Sequence, residues 1–153
     1  NIYAIVCGMA VGLNVGQNTI GMIITRSLAE MSRFAVSMGA NPYTFLGLSG
    51  VGDLLVTCTS PLSRNYQLGL KIAQGQTFEE ASDDLGKLAE GANTLEQVFQ
   101  KSKERGVYMP LVHGLYQILF SNEETNLIFK ALMERQEESD VEFADPTYWQ
   151  GDP

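Results

Sequence analysis

The chain has 153 residues, of which 44% are apolar, and carries a net charge of −8. That length allows one domain with a buried core, and that composition excludes a disordered chain. So acidic a chain is a poor partner for nucleic acid or anionic membrane surfaces, and no run of about 18 apolar residues is present to span a bilayer. The charge is uneven. Residues 134–153 hold seven acids and one base, a net of −6, which leaves the rest of the chain at −2. Cys7 and Cys58 lie in apolar surroundings, which fits a reduced, cytoplasmic location better than a secreted one. His113 is the only histidine, so no metal centre of closely spaced Cys and His ligands is expected.

In chain order the pattern is helical throughout. Asn1-Ile2-Tyr3-Ala4-Ile5-Val6-Cys7 is apolar, without an initiator Met or a basic leader, and reads as the interior of a longer protein. Residues 2–15 form a first helical segment weakened by Gly8, Gly12 and Gly16. Gly12-Leu13-Asn14-Val15-Gly16 has neither the lysine nor the preceding strand of a phosphate loop and reads as a close-packed turn. A long helix is predicted from Asn18, as its N-cap, to Met38. Ile20, Ile24, Leu28, Met31, Ala35 and Met38 form its buried stripe, and Gly39 stops it. Asn41-Pro42 opens a short helix. Thr77-Phe78-Glu79-Glu80 and Ser121-Asn122-Glu123-Glu124 have the form of capping boxes, each with a helix to follow. Between them one helix spans about 91–105, ending at Gly106, and Met109-Pro110 opens another over 111–119. After Glu138 the sequence is acidic and aperiodic, and residues 139–153 are expected to be a largely mobile tail on a domain of residues 1–138.

The stretch from Gly47 to Asn65 carries the chemistry. Gly50 and Gly52 permit close backbone approach, Asp53 stands where a helix can begin, and Thr57 follows one turn later on the same face. Ser60-Pro61 breaks that helix, and Ser63-Arg64-Asn65 starts the next. A hydroxyl, a guanidinium and an amide at a helix N-terminus suit an anion, because free backbone N–H groups converge there. Arg64 is either an exposed arginine or an anion ligand; a cation at a helix N-terminus is unfavourable unless an anion is near. Asp53 is either a simple N-cap or a carboxylate beside a bound phosphate compound.

The run Gly50-Val51-Gly52-Asp53-Leu54-Leu55-Val56-Thr57-Cys58, followed by Ser63-Arg64-Asn65, resembles the substrate domain of bacterial NAD(P)-dependent glycerol-3-phosphate dehydrogenases. Ile24-Thr25-Arg26-Ser27-Leu28-Ala29-Glu30-Met31, Ala89-Glu90-Gly91 and Met109-Pro110 extend the similarity over about residues 1–135. The resemblance implies an all-α domain of seven or eight helices around a long helix, like the C-terminal domain of 6-phosphogluconate dehydrogenase. A nucleotide-binding Rossmann domain would precede Asn1 in the parent. It implies a cytoplasmic enzyme of phospholipid synthesis that interconverts glycerol 3-phosphate and dihydroxyacetone phosphate with NAD or NADP, and it leaves a homodimer open.

By the same resemblance Asp53 is catalytic and faces a general acid/base lysine immediately before Asn1. Thr57, Ser63, Arg64 and Asn65 bind the substrate, Arg64, Leu88 and Glu90 reach the cofactor, and no metal is required. The relatives often carry a lysine or arginine near Thr19-Ile20-Gly21, and this chain has none there. Two other readings stay open: the substrate domain of a related dehydrogenase acting on a hydroxy acid or sugar phosphate, and a non-enzymatic helical interaction module.

Overall fold

The computed structural model describes residues 1–86, 90–121 and 123–134. Among these it contains eight α-helices and no strand: α1 (Ile2–Gly12), α2 (Gln17–Ser37), α3 (Asp53–Thr59), α4 (Arg64–Ala73), α5 (Phe78–Asp84), α6 (Glu90–Arg105), α7 (Pro110–Phe120) and α8 (Thr125–Glu134). A 3-10 turn (Pro42–Leu46) and a π turn (Leu48–Gly52) connect α2 to α3. The expected tail lies outside the described residues, as does Leu88.

The innermost helix is α1. Every residue from Ile2 to Ala10 is buried, as befits a helix that is apolar all round. The longest helix, α2, packs against it and is buried on most sides over residues 27–30. The glycines of α1 are not flaws, because they let α1 and α4 come into close contact. A methyl group at Gly8 would overlap the Tyr66 carbonyl, one at Gly12 would meet the Ala73 side chain, and one at Gly69 would overlap the Ile5 carbonyl. Gly8-x-x-x-Gly12 thus packs against Gly69-x-x-x-Ala73, and residue numbers rise together along both helices. The pair is parallel, and both N-termini lie at the same end.

Most boundaries follow local chemistry. Gly39 and Gly106 adopt φ of 90° and 64° just past α2 and α6, the left-handed geometry that favours glycine. Thr77 and Glu80 make the full reciprocal capping box of α5. Three expectations need correction. α2 starts at Gln17 with Gly16 as its N-cap, so Asn18 does not cap it. Met38 is 50% exposed and drops out of the buried stripe, since the helix ends at Ser37. Ser121 closes α7 by donating its N–H to the Gln117 carbonyl, so α8 begins only at Thr125.

Side chains also cap helices far away in sequence. Glu30, fully buried in α2, accepts from the N–H groups of Leu111 and Val112 in the first turn of α7. Arg105, ending α6, donates to the Ser37 carbonyl at the end of α2 at 2.7 Å, where a cation complements the helix dipole.

The glycines separate two opposite effects. Gly8→Ala or Gly69→Ala forces α1 and α4 apart and is expected to destabilise the chain by about 3 kcal/mol or more. Gly21→Ala, in an exposed stretch of α2 with nothing near a new methyl, is expected to stabilise it by about 0.5–1 kcal/mol. Urea denaturation of the three variants checks both signs.

Candidate functional site

Gly52 is the N-cap of α3, and Asp53 is its first residue with its side chain exposed. Asp53 is therefore not spent on capping its own helix. Thr57, one turn on, donates its hydroxyl to the Asp53 carbonyl at 2.7 Å. Ser60 is extended at ψ 114°, as a residue before proline should be, and ends the helix. Asp53 and Thr57 line a cleft of about 400 Å3 together with Asn1, Tyr3, Thr94 and a largely apolar remainder that includes Met31, Phe34, Phe45 and Met109.

Ser63, Arg64 and Asn65 start α4, as their sequence implies. The Ser63 hydroxyl accepts weakly from the Tyr66 N–H at 3.4 Å, which leaves its own proton to donate. Arg64 is exposed. Asn65 is buried, and its Oδ1 accepts from the Gly91 N–H at 2.9 Å, so this side chain of α4 satisfies an N-terminal amide of α6. Glu90 is exposed beside it, in the first turn of α6.

These residues do not line the cleft. They gather at its edge, where three helices begin. A methyl at Gly91 would lie 3.1 Å from the Asn1 carbonyl oxygen and 3.0 Å from Ile5 Cδ1, so the starts of α1 and α6 abut while Asn65 brings in the start of α4. Helix N-termini each present partial positive charge and unpaired N–H groups, and three of them together favour an anion more than one does.

Asn1 was missed at the sequence level. Its side chain makes no capping hydrogen bond, yet the residue lines the cleft with Asp53. An asparagine just ahead of a fully apolar helix was the available signal. His113 is half-buried and packed: its Nε2 lies 2.9 Å from Ser102 Oγ, its ring meets Phe99 edge-on, and burial lowers its pKa. Cys7 and Cys58 are both buried and free, one on α1 and one on α3. Among the described residues no cluster of three His, Cys, Asp or Glu side chains is arranged to hold a metal ion, and no helix is long and apolar enough to cross a membrane.

A family model for the NAD-dependent glycerol-3-phosphate dehydrogenase C-terminus matches residues 1–130. The chain belongs to that family. It is 58% identical over 143 residues to a glycerol-3-phosphate dehydrogenase [NAD(P)+] of Pseudomonas fluorescens, covering 94% of this chain and 42% of that protein. A Pseudomonas putida protein of the same description is 57% identical over the same coverage. The crystal structure of glycerol-3-phosphate dehydrogenase from Coxiella burnetii superposes with a TM-score of 0.85 at 36% identity, covering 88% of this chain and 42% of that one. The chain thus spans less than half the length of these relatives.

The Asn65–Gly91 bond gives a direct test of how the three N-termini are held together. Asn65→Ala leaves a buried N–H unpaired and is expected to cost about 1–3 kcal/mol. Asn65→Asp keeps the acceptor at two helix N-termini and is expected to recover most of that. Chemical denaturation of the two variants side by side reads the difference.

Proposed function

We propose that this chain is the substrate domain of an enzyme that interconverts sn-glycerol 3-phosphate and dihydroxyacetone phosphate with NAD or NADP, working in the cytoplasm. The observation that carries this reading is the placement of Asp53 and Thr57 in one cleft, bordered by the meeting point of three helix N-termini where Ser63, Arg64 and Asn65 stand. A phosphate monoester with a short hydroxylated carbon chain suits such an arrangement, with its anion at the N-termini and its reacting carbon near the carboxylate.

The described residues fit a shared cofactor site rather than a complete one. Gly12–Gly16 forms the turn between α1 and α2, with Asn14 at φ 56°, and offers no phosphate loop. Arg64 and Glu90 are exposed at the edge of the cleft and can meet a dinucleotide held mainly by another domain. When bound, the nicotinamide would exchange a hydride with C2 of the substrate. Within this chain Arg64 neutralises the phosphate, Ser63 and Asn65 donate to it, and Thr57 contacts a substrate hydroxyl. Asp53 steadies the group that moves a proton at the C2 oxygen, which the resemblance gives as a lysine directly before Asn1.

This division of labour predicts how variants behave in a full-length parent. Arg64→Ala should lower kcat/KM for dihydroxyacetone phosphate by roughly 10- to 100-fold and leave a phosphate-free ketone nearly unaffected. Arg64→Lys should recover only part of the loss, since an ammonium lacks the planar fork. Asp53→Asn should depress kcat for both substrates with little change in KM. Equal losses on both substrates for both variants would refute the separation of anchor from reacting centre. The 153-residue chain alone should oxidise neither NADH nor NADPH with dihydroxyacetone phosphate.

A further inference from the structure

Glu30 is a fully buried acid on α2 that the proposed reaction does not use. Its carboxylate joins three helices. Oε1 accepts from the Leu111 N–H, while Oε2 accepts from the Val112 N–H at 3.3 Å and from the Tyr3 hydroxyl of α1 at 3.2 Å. Each of these ties runs to the cleft. Tyr3 lines it, as do Met109, directly before α7, and Met31, the next residue along α2.

We propose that Glu30 is a positioning residue for the cleft: bound to Tyr3 and to the start of α7, it fixes the wall made by Tyr3, Met31 and Met109, and a proton taken up by its carboxylate shifts that wall. An ionised carboxylate serves all three donors. A proton on Oε2 makes that oxygen a donor toward Tyr3 and a poorer acceptor, so the bond to Tyr3 reverses and the already long bond from the Val112 N–H weakens. The start of α7 and the first turn of α1 are then held differently. This holds for whatever ligand the cleft takes and stands apart from the reaction proposed above.

The charged and titratable surroundings are few. Tyr3 faces Glu30 from α1, Arg33 lies along its own helix, and α7 presents backbone N–H groups, with His113 one residue further on. Cys58 of α3 acts on Tyr3. Burial raises the Glu30 pKa from 4.5 to about 7, opposed by the two N–H groups, Arg33 and Tyr3. The folded chain therefore keeps a proton between those two values that the unfolded chain has released. The stability this contributes is full below 4.5 and is lost as the pH rises through about 7.

Nuclear magnetic resonance of the 153-residue chain, titrated through that range, tests the proposal. The backbone amides of Leu111 and Val112 and the methyl groups of Met31 and Met109 are expected to follow one midpoint near 7. The His113 imidazole, whose pKa burial lowers, is followed through its own ring signals. Glu30→Gln should abolish the shared titration and leave that of His113. Tyr3→Phe removes a hydrogen bond that favours the ionised form and should move the shared midpoint upward. If Glu30→Gln does not fold, Tyr3→Phe carries the test alone. Amides that titrate while both methyl groups stay still would reduce Glu30 to a cap of α7 and overturn the proposal. So would a midpoint that Tyr3→Phe leaves unchanged.

Discussion

The parallel crossing of α1 and α4 is made by backbone, and most of the architecture depends on it. Gly8 and Gly69 each meet backbone of the other helix, and Gly12 faces the Ala73 methyl, so no large side chain separates the two at the centre of the crossing. Because the helices run the same way, Asn1 and Ser63-Arg64-Asn65 come to one end. Packing two parallel helices this closely puts their positive ends side by side, an arrangement that costs electrostatic energy unless something negative is near. The start of α6 joins the same end through Asn65 and Gly91. The anion preference of this corner is thus a by-product of how the core is packed.

Much of this could be read from the sequence where the determinants are local. The capping box at Thr77, the left-handed glycines after α2 and α6, the break at Ser60-Pro61 and the helix start at Ser63 all depend on neighbours within a turn or two. The readings that failed were also local ones, taken where a competing partner was close at hand. Ser121 has the pattern of an N-cap, but α7 uses it first. The glycines of residues 2–15 were read as weakness because the helix they accommodate lies some sixty residues later in the chain.

The contacts that assemble the candidate site were illegible for the same physical reason. Asn65 finds Gly91, Glu30 finds Leu111 and Arg105 finds Ser37 across long stretches of chain. In each, a polar side chain satisfies the end of a helix other than its own. A sequence shows that a helix end must be satisfied, and it does not show which distant residue will do it. Glu30 is the sharpest case: it lies outside the apolar stripe read on α2, yet it is fully buried.

The bond between Asn65 and Gly91 has one more consequence. The Gly91 amide hydrogen is held by the same side chain that stands beside Arg64. A ligand that pulled the Asn65 carboxamide toward itself would loosen that hydrogen, and one that pinned the carboxamide in place would tighten it. The rate at which a single backbone proton on α6 exchanges with solvent therefore reports on events at the start of α4, so that occupancy of the site can be followed without any chemical turnover.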